Sequence, residues 1–134
     1  RNRRLVIIVH ITFKFSGGPI VRDVIILQKR GQLMKPIPQM ETSELRRRLH
    51  NGEQVYMIDV REVEEVAAGM INGAKHIPMG EIPARLDEIP RNEEVVIICR
   101  SGGRSQHVCE FLSHQGIHNV INLKGGMLQW HEEE

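Results

Sequence analysis

A chain of 134 residues, 40% apolar and 26% charged, is one domain's worth and long enough to bury a core. Its two cysteines, Cys99 and Cys109, make no disulfide framework and suit a reducing compartment such as the cytoplasm. No apolar run approaches the roughly 20 residues of a membrane span.

The net charge of +1 conceals an asymmetry. Residues 1–35 carry eight basic residues against the single acid Asp23, a net +7, while the remainder carries ten against sixteen, a net −6. Residues 1–35 are therefore set apart as a basic N-terminal extension or a non-native leader, and residues 36–134 as the domain. Basic charge alone is a weak binding signal, so no nucleic-acid partner is expected. The apolar run Leu5 to Phe13 is interrupted by His10 and Thr12, and it lacks the small-residue cleavage site of a signal peptide. Leu5–Val9 and Ile20–Leu27 read as paired strands with Gly17-Gly18-Pro19 as the turn.

Pro36 and Pro38 lead into the domain, with a short edge strand expected around Ile37. Thr42 or Ser43 is placed to cap a helix with Glu44 in its first turn, Leu45 and Leu49 on one face, and Asn51-Gly52 as its stop. Val55 to Val60 reads as a buried strand carrying Asp59 near its end. Arg61 follows, then a short helix from Glu62 to Ala68 closed by Gly69. Ala74 to Ile77 is a brief strand stopped by Pro78. Glu81 to Glu88 reads as a helix with Ile82, Leu86 and Ile89 inward, ended by Pro90.

The run Val95-Val96-Ile97-Ile98 then ends abruptly on Cys99, and Arg100-Ser101-Gly102-Gly103-Arg104 opens a helical pattern from Ser105 to Gln115. Val108, Phe111 and Leu112 share one face of that helix. Val120 to Leu123 is the last strand, Gly125-Gly126 a turn, and Met127 to His131 a final helical turn with Trp130 inward. Short apolar strands alternating with helices mean an α/β domain with a mostly parallel sheet.

A strand that delivers a thiol to the floor of a glycine-rich basic loop favours the thiolate. Main-chain N–H groups converge there, and the helix N-terminus adds partial positive charge. Cys99 is thus expected to ionise below the usual ~8.5 and to act as a nucleophile. Gly102 and Gly103 permit close approach to the sulfur. Arg104, at the far lip, is expected to face back across the loop and clamp a donor's anionic oxygens, whereas Arg100 does the same or points outward. Ser101 and Ser105 donate to the sulfur or cap the helix; for Ser105 capping is favoured. Asp59 and Arg61 read as a structural ion pair or hydrogen-bond support for the loop. No metal site is expected: Gly116 breaks the helix that would align His114 with His118, and Cys109 on an apolar helix reads as core. No cofactor is implied.

These segments resemble the rhodanese domain in its single-domain bacterial form. The likeness rests on Ile58-Asp59-Val60-Arg61-Glu62, Gly69-Met70-Ile71-Asn72-Gly73-Ala74, His76-Ile77-Pro78, Cys99 to Ser105, and Asn122-Leu123-Lys124-Gly125-Gly126-Met127. It runs from about Ile37 to Trp130 and departs at Met70, where the family usually has histidine. The resemblance implies a rhodanese-like sheet of about five mostly parallel strands with helices on both faces. It also implies sulfurtransferase chemistry through a Cys99 persulfide, with thiosulfate or a persulfide as donor and cyanide or a thiol as acceptor. The spacing Cys99-x4-Arg104 makes a six-residue loop, against the wider Cys-x5-Arg cradle of phosphatases and arsenate-reducing relatives of that fold. Beside sulfur transfer stand a sulfur-relay or binding module and an oxyanion enzyme of the same fold.

Overall fold

The computed structural model describes residues 4–15, 18–29, 32–34 and 36–134. It divides into two compact units, Arg1–Pro36 and Ile37–Glu134. In the first, β1 (Arg4–Phe15) pairs antiparallel with β2 (Gly18–Lys29), in a register that sets Val9 opposite Val24, and β3 (Gln32–Met34) pairs antiparallel with β2. Both long strands extend beyond the expected segments. Gly18 and Pro19, expected in the turn, already belong to β2, and Gly17 lies outside the described residues.

The second unit is built on five parallel strands in the order β4-β8-β7-β5-β6. These are β4 (Gln39–Met40), β5 (Tyr56–Asp59), β6 (Lys75–His76), β7 (Val95–Ile98) and β8 (Val120–Leu123). Between and after them run α1 (Thr42–His50), α2 (Val63–Val66), a 3₁₀ segment (Met79–Glu88), α3 (Gly103–His114) and α4 (Gly126–Glu132).

The central strand β7 is β-branched throughout and fully buried, as a strand covered on both faces must be. Its period of two divides the core. Val95 and Ile97 face a layer with Ile82, Val108, Cys109, Leu112 and Ile117, and Val96 and Ile98 face a layer with Leu45, Met127 and Trp130. Cys99 extends the first alternation and so turns its sulfur toward the α3 side of the sheet.

Several elements differ from the sequence reading. The edge strand sits two residues later than Ile37, because the β8 register pairs Gln39 and Met40 with Asn122 and Leu123. Thr42 is buried at the first position of α1, and Glu41 occupies the capping position without a side-chain bond. The helix after Arg61 is a single turn, stopped where Gly69 at φ +130 donates to the Val66 carbonyl at 2.9 Å. Met79–Glu88 is 3₁₀ and not α-helical. Pro83 inside it supplies no N–H, and Arg85 leaves helical angles at φ −126, although Ile82 and Ile89 point inward as expected. Among the described residues no helix is long and apolar enough to cross a membrane.

Candidate active site

The site lies at the carboxyl ends of the strands, where β7 gives way to Cys99. The chain reverses through Arg100 and Ser101, and Gly102 enters α3 at φ +98, a left-handed angle that costs glycine nothing. This brings the Gly102 N–H to 3.0 Å from the Cys99 sulfur, and the Ser105 Oγ lies 3.2 Å away. Cys99 has no exposed surface: the loop closes over its sulfur.

The loop is held from within by α4. The Met127 N–H donates to the Cys99 carbonyl and the Leu128 N–H to the Arg100 carbonyl, both at 2.9 Å. A planar trans peptide points its N–H away from its C=O. Carbonyls turned toward α4 therefore aim the following N–H groups the other way, and that of Ser101 acts on the sulfur. Gly126 makes the approach possible. A Cβ there would lie 2.5 Å from the Cys99 oxygen and 2.6 Å from the Arg100 oxygen.

Burial opposes ionisation of the Cys99 thiol. Hydrogen bonding at the sulfur by the main-chain N–H groups of Ser105, Gly102 and Ser101 works against burial, and the thiol is drawn below its ordinary value. Cys109 behaves oppositely. Fully buried on the apolar face of α3, its thiol is pushed up to about 12, first by burial and then by the nearby Glu110 and Cys99.

Two expectations for the loop are corrected. The Arg104 guanidinium is not left free to face back across the loop; both its terminal nitrogens bond the two oxygens of Glu65 at 2.7 Å. That clamp, with the Glu62 N–H on the same carboxylate, lowers Glu65 to about 2. Ser105 does not cap α3. The left-handed Gly102 starts the helix at Gly103, so Ser105 is its third residue and turns its hydroxyl inward to the sulfur and to Asn122. Arg100 and Ser101 are exposed, and among the described residues Arg100 has no ion pair. Gly103 is exposed as well.

Asp59 and Arg61 form a buried ion pair one strand over. Arg61 Nη2 reaches Asp59 at 2.8 Å and the Gly69 carbonyl at 2.8 Å, while His76 Nε2 bonds the Arg61 carbonyl at 2.7 Å. The pair thus ties together the ends of β5, α2 and β6.

Three residues to which the sequence reading gives no role at the site take part in it. Glu65 is spaced three residues from Glu62, the interval at which an N-terminal carboxylate folds back on its helix. Gly126 precedes a helix, and only the distance across the loop reveals why a side chain is excluded. Asn122 is a lone amide in an apolar strand, a pattern that marks a buried polar group in need of partners. On β8 it pairs beside Ile97 and is buried.

Comparison with known proteins agrees with this fold. A family model described as Rhodanese-like domain matches residues 41–133. A putative sulfurtransferase of Bacillus subtilis, YtwF, is 46% identical over 97 residues, which cover 72% of this chain and 93% of that protein. A sulfurtransferase of Allochromatium vinosum is 43% identical over 94 residues, 70% of this chain and 88% of that one. The crystal structure of a rhodanese-like domain protein from Staphylococcus aureus superposes with a TM-score of 0.67 at 40% identity, covering 70% of this chain and 91% of that one.

Proposed function

The chain belongs to the rhodanese-like domain family, and from that premise we propose that it is a sulfurtransferase carrying sulfane sulfur on Cys99. The observation that carries this reading is the Cys99 sulfur at the end of a buried strand, bonded by main-chain N–H and drawn below the ordinary thiol range.

The thiolate attacks the outer sulfur of thiosulfate, or of a persulfide. A new S–S bond forms while the donor's own S–S bond breaks, its electron pair leaving with sulfite or with the donor thiolate. The charge passes to the transferred sulfur, which sits among the N–H groups of the loop. Attack on that sulfur by a thiolate or by cyanide returns the Cys99 thiolate. No separate general base is needed. Arg100, exposed and without an ion pair among the described residues, is the guanidinium that meets a donor's sulfonate oxygens, while Arg104 and Glu65 hold α3 against α2. Asp59 and Arg61 support the strand ends beneath. Residues 36–134 carry the activity and residues 1–35 form a basic extension; two unpaired cysteines fit a reducing, cytoplasmic setting.

Intact-mass measurement after incubation with thiosulfate tests the reading. A gain of one sulfur, about 32 Da, is expected in the native chain and not in Cys99→Ser. No gain, or turnover of arsenate or a phosphomonoester without sulfur loading, would overturn it.

A further inference from the structure

The Ser105 hydroxyl has one proton and two neighbours that want it: the Cys99 sulfur at 3.2 Å and the Asn122 Oδ1. Which receives it is decided by the orientation of the Asn122 amide. Its Nδ2 lies 3.2 Å from the Gly102 carbonyl and 2.8 Å from Gln39 Oε1. Gln39 is fixed in turn, because its Nε2 faces the Ile37 carbonyl at 3.1 Å and Gln106 Oε1 at 2.7 Å. Main-chain carbonyls cannot donate. Reversing either amide would set oxygen against oxygen at Gly102 or at Ile37. The Asn122 Oδ1 must therefore face Ser105, and only the Ser105 proton can join those two oxygens.

We propose that Asn122 is a positioning residue that fixes the Ser105 proton on its own Oδ1, so that Ser105 presents a lone pair, not a proton, to the Cys99 sulfur. The relay then accepts a bond from the resting S–H and opposes negative charge on Sγ. It does not oppose the loaded form. Once the outer sulfur is transferred, Sγ is an uncharged bridging atom and the charge lies one bond away among the loop N–H groups. Asn122 thus favours the resting thiol and the persulfide over the free thiolate between them. The main-chain donors of the loop, and not Ser105, supply the pull toward ionisation. This role deepens the sulfur-transfer reading and rests on it for its purpose, but not for its measurement.

The test is an ultraviolet thiolate titration of the whole chain without any sulfur donor, so that its failure is distinct from failure of sulfur loading. Cys109 stays protonated through the range, being pushed up to about 12. The other charged or titratable groups around Cys99 are Arg104 with Glu65, Arg100 at the lip, and Asp59 with Arg61 on the neighbouring strand; neither variant alters them. Ser105→Ala is expected to lower the Cys99 pKa. Asn122→Leu, of similar volume, frees the hydroxyl to donate to the thiolate and lowers it by about one unit. Adding Ser105→Ala to Asn122→Leu then raises it again, so the effect of the serine changes sign with its neighbour. A rise on Ser105→Ala in the native background, or no fall on Asn122→Leu, would overturn the proposal. If Asn122→Leu does not fold, the sign of Ser105→Ala alone decides.

Discussion

Gly126→Ala should damage both the stability of the domain and the chemistry of its thiol, by an amount that can be worked from distances. At φ +56 an alanine takes a left-handed angle, which costs about 1–2 kcal/mol. Its Cβ would also stand 2.5 Å from the Cys99 oxygen, where real Cβ contacts stop near 3.0 Å, so α4 and the loop must part by ~0.5 Å. Parting loosens the two 2.9 Å bonds from Met127 and Leu128, each contributing about 0.5–1.5 kcal/mol. The expected loss is about 2–4 kcal/mol, or roughly 10–25 °C in Tm for a domain of this size. Thermal unfolding followed by circular dichroism measures it against two controls. Gly116→Ala has a left-handed φ of +87 but open space around its Cβ, and should lose about 1 kcal/mol. Gly80→Ala has neither burden and should lose a few tenths. A Tm for Gly126→Ala equal to that of Gly116→Ala would refute the clamp. So would an unchanged Cys99 titration, because released carbonyls no longer aim the Ser101 N–H at the sulfur.

Glu65→Gln tests the ion pair that holds Arg104. Glu65 is lowered to about 2 from its ordinary 4.5, so its contribution to stability is complete above pH 4.5 and is lost as pH falls toward 2. The gap in urea midpoint between native chain and variant should stay constant above pH 5 and close near pH 2; a gap that persists at pH 2 would assign the effect to packing. Asp59→Asn removes the partner of a buried Arg61 and leaves that charge with the Gly69 carbonyl, at an expected cost of about 3–5 kcal/mol in urea unfolding. A loss under about 1 kcal/mol would mean that Arg61 escapes to water.

What the sequence made legible was local. Val95 to Ile98 can be little else than a buried strand, and the glycines after Cys99 mark a tight loop before a helix, so the sheet and the thiol at its end were readable. Directions of side chains were not. Arg104 reads as a clamp for a donor because nothing near it in sequence competes, yet Glu65, 39 residues upstream, is delivered to it by the packing of α2 beside α3. Ser105 reads as a cap because serine is among the residues favoured at the start of a helix. A left-handed Gly102 moves the helix start back by two residues and converts the same hydroxyl into a neighbour of the sulfur. Asn122 shows the opposite failure: its presence in an apolar strand was visible, but its meaning depended on a strand register and on the Gly102 carbonyl.

The bonds from α4 to the loop also bear on when the thiol becomes reactive. Met127 and Leu128 are each made 28 positions after the carbonyl they hold. During synthesis Cys99 is therefore joined to the chain well before the residues of the helix that orients its loop. A domain that folds as a unit acquires its structure only once such distant partners are available. Until α4 docks, nothing holds the Cys99 and Arg100 carbonyls from within, so the loop's full set of N–H donors is assembled only in the finished fold.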